Sequence, residues 1–402
     1  MAALMKFLYY LPPFIMNIMS GLLFFVPARR LALAGESAVA VAGALSAWAF
    51  SYALTGVILG FIQNRKNAVC LIFGSQGILI SAFLLLLFKS EIHLQYYWVL
   101  MTGVGCVMFY GPYQMIVKVL EKPLPGLPAI VKSSAIYTFS WSSGLAAGPF
   151  VAAGVWGCFD PVHGWKACYG ICIALSIAVM GIVLLIRQYV KKVEKIEEEK
   201  SKDAAPSNVE ETPIAEEENK YPNMIWTAWA VSFCGYLTVS AFRALLPFRG
   251  ECIGLTTAQQ GVLLAVVSCV QAFTALAFMK SRTWMYKPYW MTFAGLLGII
   301  GMLVLSFTSN FPLLFAGMVL YGIYCGTFAW SLIYHALADR KKSSLYVGIN
   351  EALIGFGGIF APLLGGLFSS PEKSSIPFLA SIVLILLAIL IQFAGSWRNR
   401  NL

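Results

Sequence analysis

Two stretches decide how this chain folds: AIYTFSWSSGLAAGPFVAA, residues 135–153, and GINEALIGFGGIFAPLLGG, residues 348–366. Ala135, Gly144, Gly148, Pro149, Ala152 and Ala153 in the first answer to Gly348, Gly357, Ala361, Pro362, Gly365 and Gly366 in the second. The offset is constant over all six small-or-proline positions. Each stretch lies in an apolar run long enough to span a bilayer as a helix, which needs about 20 residues. Lipid gives helices no hydrophobic drive to associate, so small residues that let backbones approach mark packed faces. Pro149 and Pro362 each leave a carbonyl without its helical donor and loosen the helix there. Plain helix packing explains either stretch alone; their recurrence points to two related halves.

The chain around them agrees. It has 402 residues, 59% hydrophobic and 11% charged, with mean hydropathy +0.77. A soluble domain carries about 25% charged residues, so a soluble enzyme, a nucleic-acid binder and a disordered scaffold are excluded. Apolar runs predict spans at 5–27, 38–60, 68–88, 94–117, 133–156 and 167–187, then at 223–248, 257–279, 288–309, 311–337, 344–368 and 375–396. The expected architecture is an all-α polytopic membrane protein: twelve transmembrane helices in two pseudo-symmetric six-helix bundles. Residues 1–187 form the first bundle, 188–222 a charged linker and 223–402 the second bundle.

The charges orient it. With both termini in the cytoplasm, 21 Lys and Arg residues fall inside and seven outside, as the positive-inside rule requires. That bias accounts for the net charge of +10 without a nucleic-acid partner. From Arg187 to Pro222 there are seven basic and ten acidic residues. The run from Lys191 to Lys200 suits a surface helix with i,i+4 ion pairs, and the rest, with Pro206 and Pro213, a flexible tether. A regulatory or partner-binding role for this linker is the other reading. The nine cysteines form no Cys-x-x-Cys pair, so no metal site is expected. They read as small buried hydrophobes, with Cys158 and Cys168 placed where they could bridge a loop.

Further echoes support the duplication. Gly60-x4-Arg65 after span 2 matches Ala277-x4-Arg282 after span 8, and Gly74-x-x-Gly77 matches Gly295-x-x-Gly298. Pro27-x-Arg29 matches Pro247-x-Arg249. With these residues in view, nearly the whole chain resembles the major facilitator superfamily. Gly60 to Lys66 is similar to that family's loop motif between helices 2 and 3, with Gly60, Arg65 and Lys66 matching. The family usually has Asp where this chain has Asn64, so the charge relay the resemblance implies lacks its carboxylate. Span 5, with Gly148-Pro149, resembles the family's antiporter motif. Span 11 carries the same pattern, so the motif does not single out export.

A transporter of this kind places its site near the midplane, between the halves. Polar and aromatic residues inside the spans are the candidates: Asn17, Tyr110, Tyr113, Gln114, Tyr137, Trp141, Tyr236, Gln271, Tyr324, Trp330 and Asn350. Spans 5 (Ser134, Tyr137, Thr138, Trp141) and 7 (Trp229, Ser232, Tyr236, Ser240, Arg243) carry them as stripes. Such a stripe faces the bundle or a wet cavity, because lipid cannot satisfy it; interhelical hydrogen bonding is the plainer reading. Aromatics with hydroxyls and amides suit a neutral, hydroxylated or aromatic solute, although Trp and Tyr also belt the interfaces.

Glu351 is the one acid outside the linker well inside a span, about 12 Å along span 11. An intramembrane carboxylate is a functional hypothesis by default, here a group that takes and releases a proton; a structural bond near an inner gate is the alternative. Arg243, Arg29, Arg30 and Arg249 lie toward the outside, to attract an anionic solute or to snorkel to headgroups. His335, Asp339 and Arg340 read as a gate or loop contact. Gly60, Asn64, Arg65 and Arg282 are expected to gate, and Gly144, Gly148, Pro149, Gly357 and Pro362 to pack helices.

The expected function is a secondary transporter of a small organic solute working by alternating access, a symporter if Glu351 carries a proton. An exporter of the same fold is the first alternative. A membrane scaffold or sensor without transport, or a membrane enzyme, is the other class; the chain has no His-x-x-x-His, no repeated Asp or Glu motif in its loops and no nucleotide-binding loop, and only the acidic linker could serve a scaffold. No cofactor is expected. The partners are the solute, protons and lipid, the state is monomeric, and the location is a bacterial cytoplasmic membrane.

Overall fold

The computed structural model describes residues 2–64, 66–89, 91–120, 127–160, 162–203, 224–278, 283–338 and 343–400. Twelve long helices account for nearly all of these, and no strand occurs among them. The first six are α1 (Ala2–Leu33), α2 (Ala38–Ile62), α3 (Ala68–Phe88), α4 (Gln95–Leu120), α5 (Leu127–Ala152) and α6 (Gly164–Asp203). The second six are α7 (Ile225–Cys252), α8 (Thr257–Phe278), α9 (Pro288–Phe307), α10 (Phe311–Ala338), α11 (Ser343–Leu367) and α12 (Ile376–Arg400). Over the described residues, eleven are long and apolar enough to cross a membrane. The sixth span was expected to stop at residue 187, but α6 continues unbroken to Asp203.

Phe293, Leu296, Ile300, Leu303 and Phe307 of α9 are all exposed and recur at helical spacing. In water such a stripe would be an aggregation liability; in lipid it is the outer face. By contrast α7 is 83% buried over its apolar core and α1 78%, while α11 is 28% buried. The first helix of each bundle is therefore central, and α11 has a lipid side.

The ends of the helices repeat as the spans do. Gly35 after α1 and Gly254 after α7 take φ of 75° and 74°, the left-handed region open to glycine. Around them Gly35 N–H donates to Ala32 and Glu36 N–H to Leu31, as Gly254 N–H does to Glu251 and Leu255 N–H to Gly250. These are two copies of one Schellman cap. The caps make Arg30, not Arg29, the counterpart of Arg249, one residue out of register with the Pro-x-Arg match in the sequence. At the next helix start, Thr256 and Gln259 form a reciprocal capping box.

The bundles meet along pairs related by the same pseudo-symmetry: α5 with α8, α11 with α2, and α1 with α7. Within the bundles α5 lies along α1 and α11 along α7. The end where α6 finishes and α7 begins is the linker end; the opposite end is the far end.

All nine cysteines are free. The bridge considered between Cys158 and Cys168 is absent, because Cys168 faces the interior of α6 while Cys158 is exposed on the π-helical turn Ala153–Phe159.

Candidate functional site

The packing helices come first, because they place everything else. A Cβ at Gly148 would lie 2.5 Å from the Ile18 carbonyl oxygen and 2.7 Å from Gly21 Cα, and one at Gly144 would overlap the Phe14 carbonyl. Helix α1 therefore rests backbone to backbone on α5. Pro149 removes the donor for the Leu145 carbonyl, and that oxygen faces Gly21. On the other side of α5, a Cβ at Gly261 of α8 would lie 2.6 Å from the Pro149 oxygen. Helix α11 uses its small residues across the seam instead. Cβ atoms at Gly355, Gly358 and Gly366 would crowd Ala53, Ala49 and Val39 of α2, and Ser46 donates to the Ile359 carbonyl at 3.1 Å. Gly357 faces Tyr236 closely but without overlap, at 3.3 Å for an added Cβ, with Pro362 further along the helix.

Those contacts bring Glu351 of α11 to Tyr52 of α2. The Tyr52 hydroxyl donates to Glu351 Oε2 at 2.7 Å, a bond between bundles. Tyr52 is buried and stacks on Trp48, with ring centroids 4.7 Å apart. Glu351 is part-buried and lies within electrostatic range of Tyr110 and Tyr236. Tyr110 has Tyr137 as a further such neighbour and places its hydroxyl 3.5 Å from Ser20 Oγ. Tyr236 packs edge-on against Phe328 at 5.3 Å and lies near Arg243. Groups from α2, α4, α5, α7 and α11 thus gather at one level of the seam. A shallow hollow between α3 and α6, lined by Lys66, Cys70, Phe73 and Arg187 among others, borders none of them.

Other expected residues are engaged elsewhere. Pro13 frees the Tyr9 carbonyl, and the Tyr113 hydroxyl donates to that oxygen at 2.7 Å. Asn17 donates to the Pro13 carbonyl at 2.8 Å. Gln271 of α8 donates to Ser142 of α5 at 3.0 Å, a second polar bond across the seam. Asn350 accepts from Trp229 at 2.8 Å, within the second bundle. Trp330 stacks between Trp284 and Tyr334 in an aromatic cluster that ties α10 to the α8–α9 turn. Tyr324 is fully buried against Gly298, and its hydroxyl has no partner among the described residues. Trp141 is half-buried. His335 is buried against Tyr286 and Tyr334.

At the α2–α3 turn, Asn64 Oδ1 accepts from the Lys66 and Asn67 N–H groups, and Asn67 Oδ1 accepts from Asn64 N–H. Asn64 thereby closes the turn on itself, and a Cβ added at Gly60 would meet nothing within 4 Å. Arg65, Arg282, Asp339 and Arg340 lie outside the described residues, as do the side chains of Gln114 and Ser134 and the linker from residue 204 to 223.

At the far end, Arg29 pairs with Glu251 and donates to Thr257 Oγ1 at 3.1 Å, joining α1 to α7 and α8. Arg30 lies over the Trp165 ring at 3.8 Å. Arg249 donates to Ser374 Oγ at 2.8 Å and to the Ser306 carbonyl at 3.0 Å. These three are fixed by protein partners rather than reaching for headgroups.

Sequence reasoning missed Tyr52, Ser142 and the Arg29–Glu251 pair. The available signal for Tyr52 was Trp48 four residues earlier, an i,i+4 aromatic pair that shares one face.

The chain matches known proteins at the level of family and fold. A sequence model described as Major Facilitator Superfamily matches residues 132–340, just over half the chain. No curated protein sequence matches it. Among solved structures, a mutant of the nucleoside transporter NupG superposes with TM-score 0.67 at 12% identity, covering 97% of this chain and 99% of that one. The human organic anion transporter MFSD10 gives TM-score 0.62 at 14% identity over 96% and 98%. A bacterial homologue of the human lysosomal transporter Spinster, inward-facing and occupied, gives 0.64 at 14% over 97% and 96%. At these identities the likeness is one of fold.

Proposed function

The chain belongs to the Major Facilitator Superfamily, and from that premise we propose a secondary transporter that moves a small organic solute by alternating access at the seam. The observation that carries this reading is the Tyr52–Glu351 hydrogen bond, with Tyr110 and Tyr236 around it. A hydrogen bond to a charged group contributes about 1.5–3 kcal/mol. That is the scale of the free-energy gap between two conformations of one protein. Rocking one bundle against the other breaks this bond and changes what surrounds the carboxylate. Glu351 then exchanges its Tyr52 partner for a proton, and the proton gradient drives the cycle.

In this reading residues 1–187 and 223–402 are the rocking units, and 188–222 tethers them. The working protein is a monomer in a bacterial cytoplasmic membrane with both termini inside. Tyr110, Tyr137 and Tyr236 line the solute path beside Glu351. Asn17, Tyr113, Gln271, Trp330 and Asn350 hold the helices that shape it. Arg29 with Glu251 and Thr257 closes the far end.

The test is transport by the purified full chain in proteoliposomes, with solutes first found by thermal shift across sugars, nucleosides, organic acids and drugs. A stabilising solute should accumulate when a pH gradient is imposed, and a protonophore should abolish that accumulation. The sign of the gradient that drives flux separates uptake from export. Accumulation indifferent to pH and protonophore would remove the coupled reading.

A further inference from the structure

Arg243 is a charged group well inside α7, nine residues before its end at Cys252. By helix rise it lies about 10 Å beyond Tyr236 toward the far end. Its electrostatic neighbours are Tyr236, Tyr321 and Cys325, all neutral. Tyr321 has its hydroxyl committed to Thr238 Oγ1 at 2.8 Å. Among the described residues no hydrogen bond or ion pair reaches the Arg243 guanidinium, whereas Arg29 and Arg249 each have their partners. The flanking Phe242 and Ala244 are buried, whereas Arg243 itself is part-buried and keeps some accessible surface. A cation in that position is costly unless something answers its charge. Tyr236 lies in range of both Arg243 and Glu351, so the two charges flank one buried aromatic pair, Tyr236 with Phe328.

We propose that Arg243 is the anion-binding residue of the seam and that the transported solute is a small organic carboxylate. The proposal rests on the transporter reading above and adds the chemical class of solute. The planar guanidinium fork matches a carboxylate with two parallel N–H···O bonds. The apolar or aromatic body of the solute then extends from Arg243 toward Glu351 and Tyr52. The solute supplies the countercharge that the protein itself withholds, so the empty site is electrostatically unsatisfied and the filled one is not.

The experiment is a thermal-shift and binding series on the full chain in lipid nanodiscs. The probes are aliphatic, hydroxylated and aromatic monocarboxylates, each paired with its own primary amide. At least one carboxylate should raise the melting temperature while its amide does not. Arg243→Gln should weaken binding of that carboxylate about thirtyfold or more, the loss that follows removal of one partner of a buried charge pair. Arg243→Lys should recover part of it. Without ligand, Arg243→Gln should melt no lower than the wild type, because no protein partner is orphaned; a clear fall would mean a structural ion pair and overturn the proposal. It is also overturned if amides bind as well as acids, if carboxylate binding survives Arg243→Gln, or if no carboxylate binds. Uptake of neutral solutes separates the failures. If they are carried while acids are ignored, the anion assignment alone falls. If neither class binds or moves, the transporter reading falls with it.

Discussion

Helices α5 and α11 carry one sequence pattern and use it differently. In α5 the glycines press the backbone onto its own bundle's first helix: Gly144 and Gly148 lie against Phe14, Ile18 and Gly21 of α1. In α11 the corresponding Gly357 approaches α7 less closely, and Gly355, Gly358 and Gly366 instead face α2 of the other bundle. The polar positions differ as well. Thr138 of α5 is fully buried, and its hydroxyl has no partner among the described residues. Its counterpart in the repeat is Glu351, bonded to Tyr52 across the seam. One copy anchors a bundle, and the other carries a charge to the moving interface. Duplication supplied the scaffold, and the divergence of a few residues on α11 supplied the chemistry.

The largest effect is expected where α5 is tightest. Gly144→Ala places a methyl group onto the Phe14 backbone, and overpacking of that kind costs about 1–3 kcal/mol. The melting temperature of the purified protein should fall clearly, and a neutral outcome would deny the backbone contact. The same substitution at Gly357 should change the melting temperature little. Its added Cβ meets Tyr236 at 3.3 Å, and alanine's helix preference over glycine offsets about 0.5–1 kcal/mol. Equal losses at both sites would erase the contrast between the helices.

Tyr52→Phe comes next. It removes the donor to Glu351 and should shift the balance between conformations by about 1.5–3 kcal/mol, read as altered cysteine accessibility along α2 and α11 near the linker end. An unchanged accessibility pattern would mean that the bond does not hold the bundles together. Thr138→Val should do least, within about 0.5 kcal/mol and toward stability, since it removes an unsatisfied buried hydroxyl at constant shape. A marked loss of stability would reveal a partner for that hydroxyl.

Much of this was legible in the sequence. The apolar runs located the helices because lipid forces every backbone group into a helix. The repeat marked Gly144 and Gly148, which lie against α1, but not Gly355 and Gly358, which lie against α2; the scarcity of acids within spans drew attention to Glu351. The partner of Glu351 was not legible. Tyr52 stands alone in an Ala-rich helix without a polar stripe, and its role follows only from α2 crossing α11. The arginines misled for a similar reason. Pro27-x-Arg29 and Pro247-x-Arg249 look equivalent, but the Schellman caps pair Arg30 with Arg249, which frees Arg29 to cross to Glu251. Asn64 was read within a loop motif, whereas its hydrogen bonds close its own turn.

The most direct test is the Glu351→Gln variant in proteoliposomes, with pH-driven accumulation and solute exchange at equilibrium measured side by side. Glutamine keeps the size and can still accept from Tyr52, but it cannot carry a proton. In this variant pH-driven accumulation should be lost while exchange persists near the wild-type rate. Accumulation that keeps its pH dependence would contradict proton coupling through Glu351.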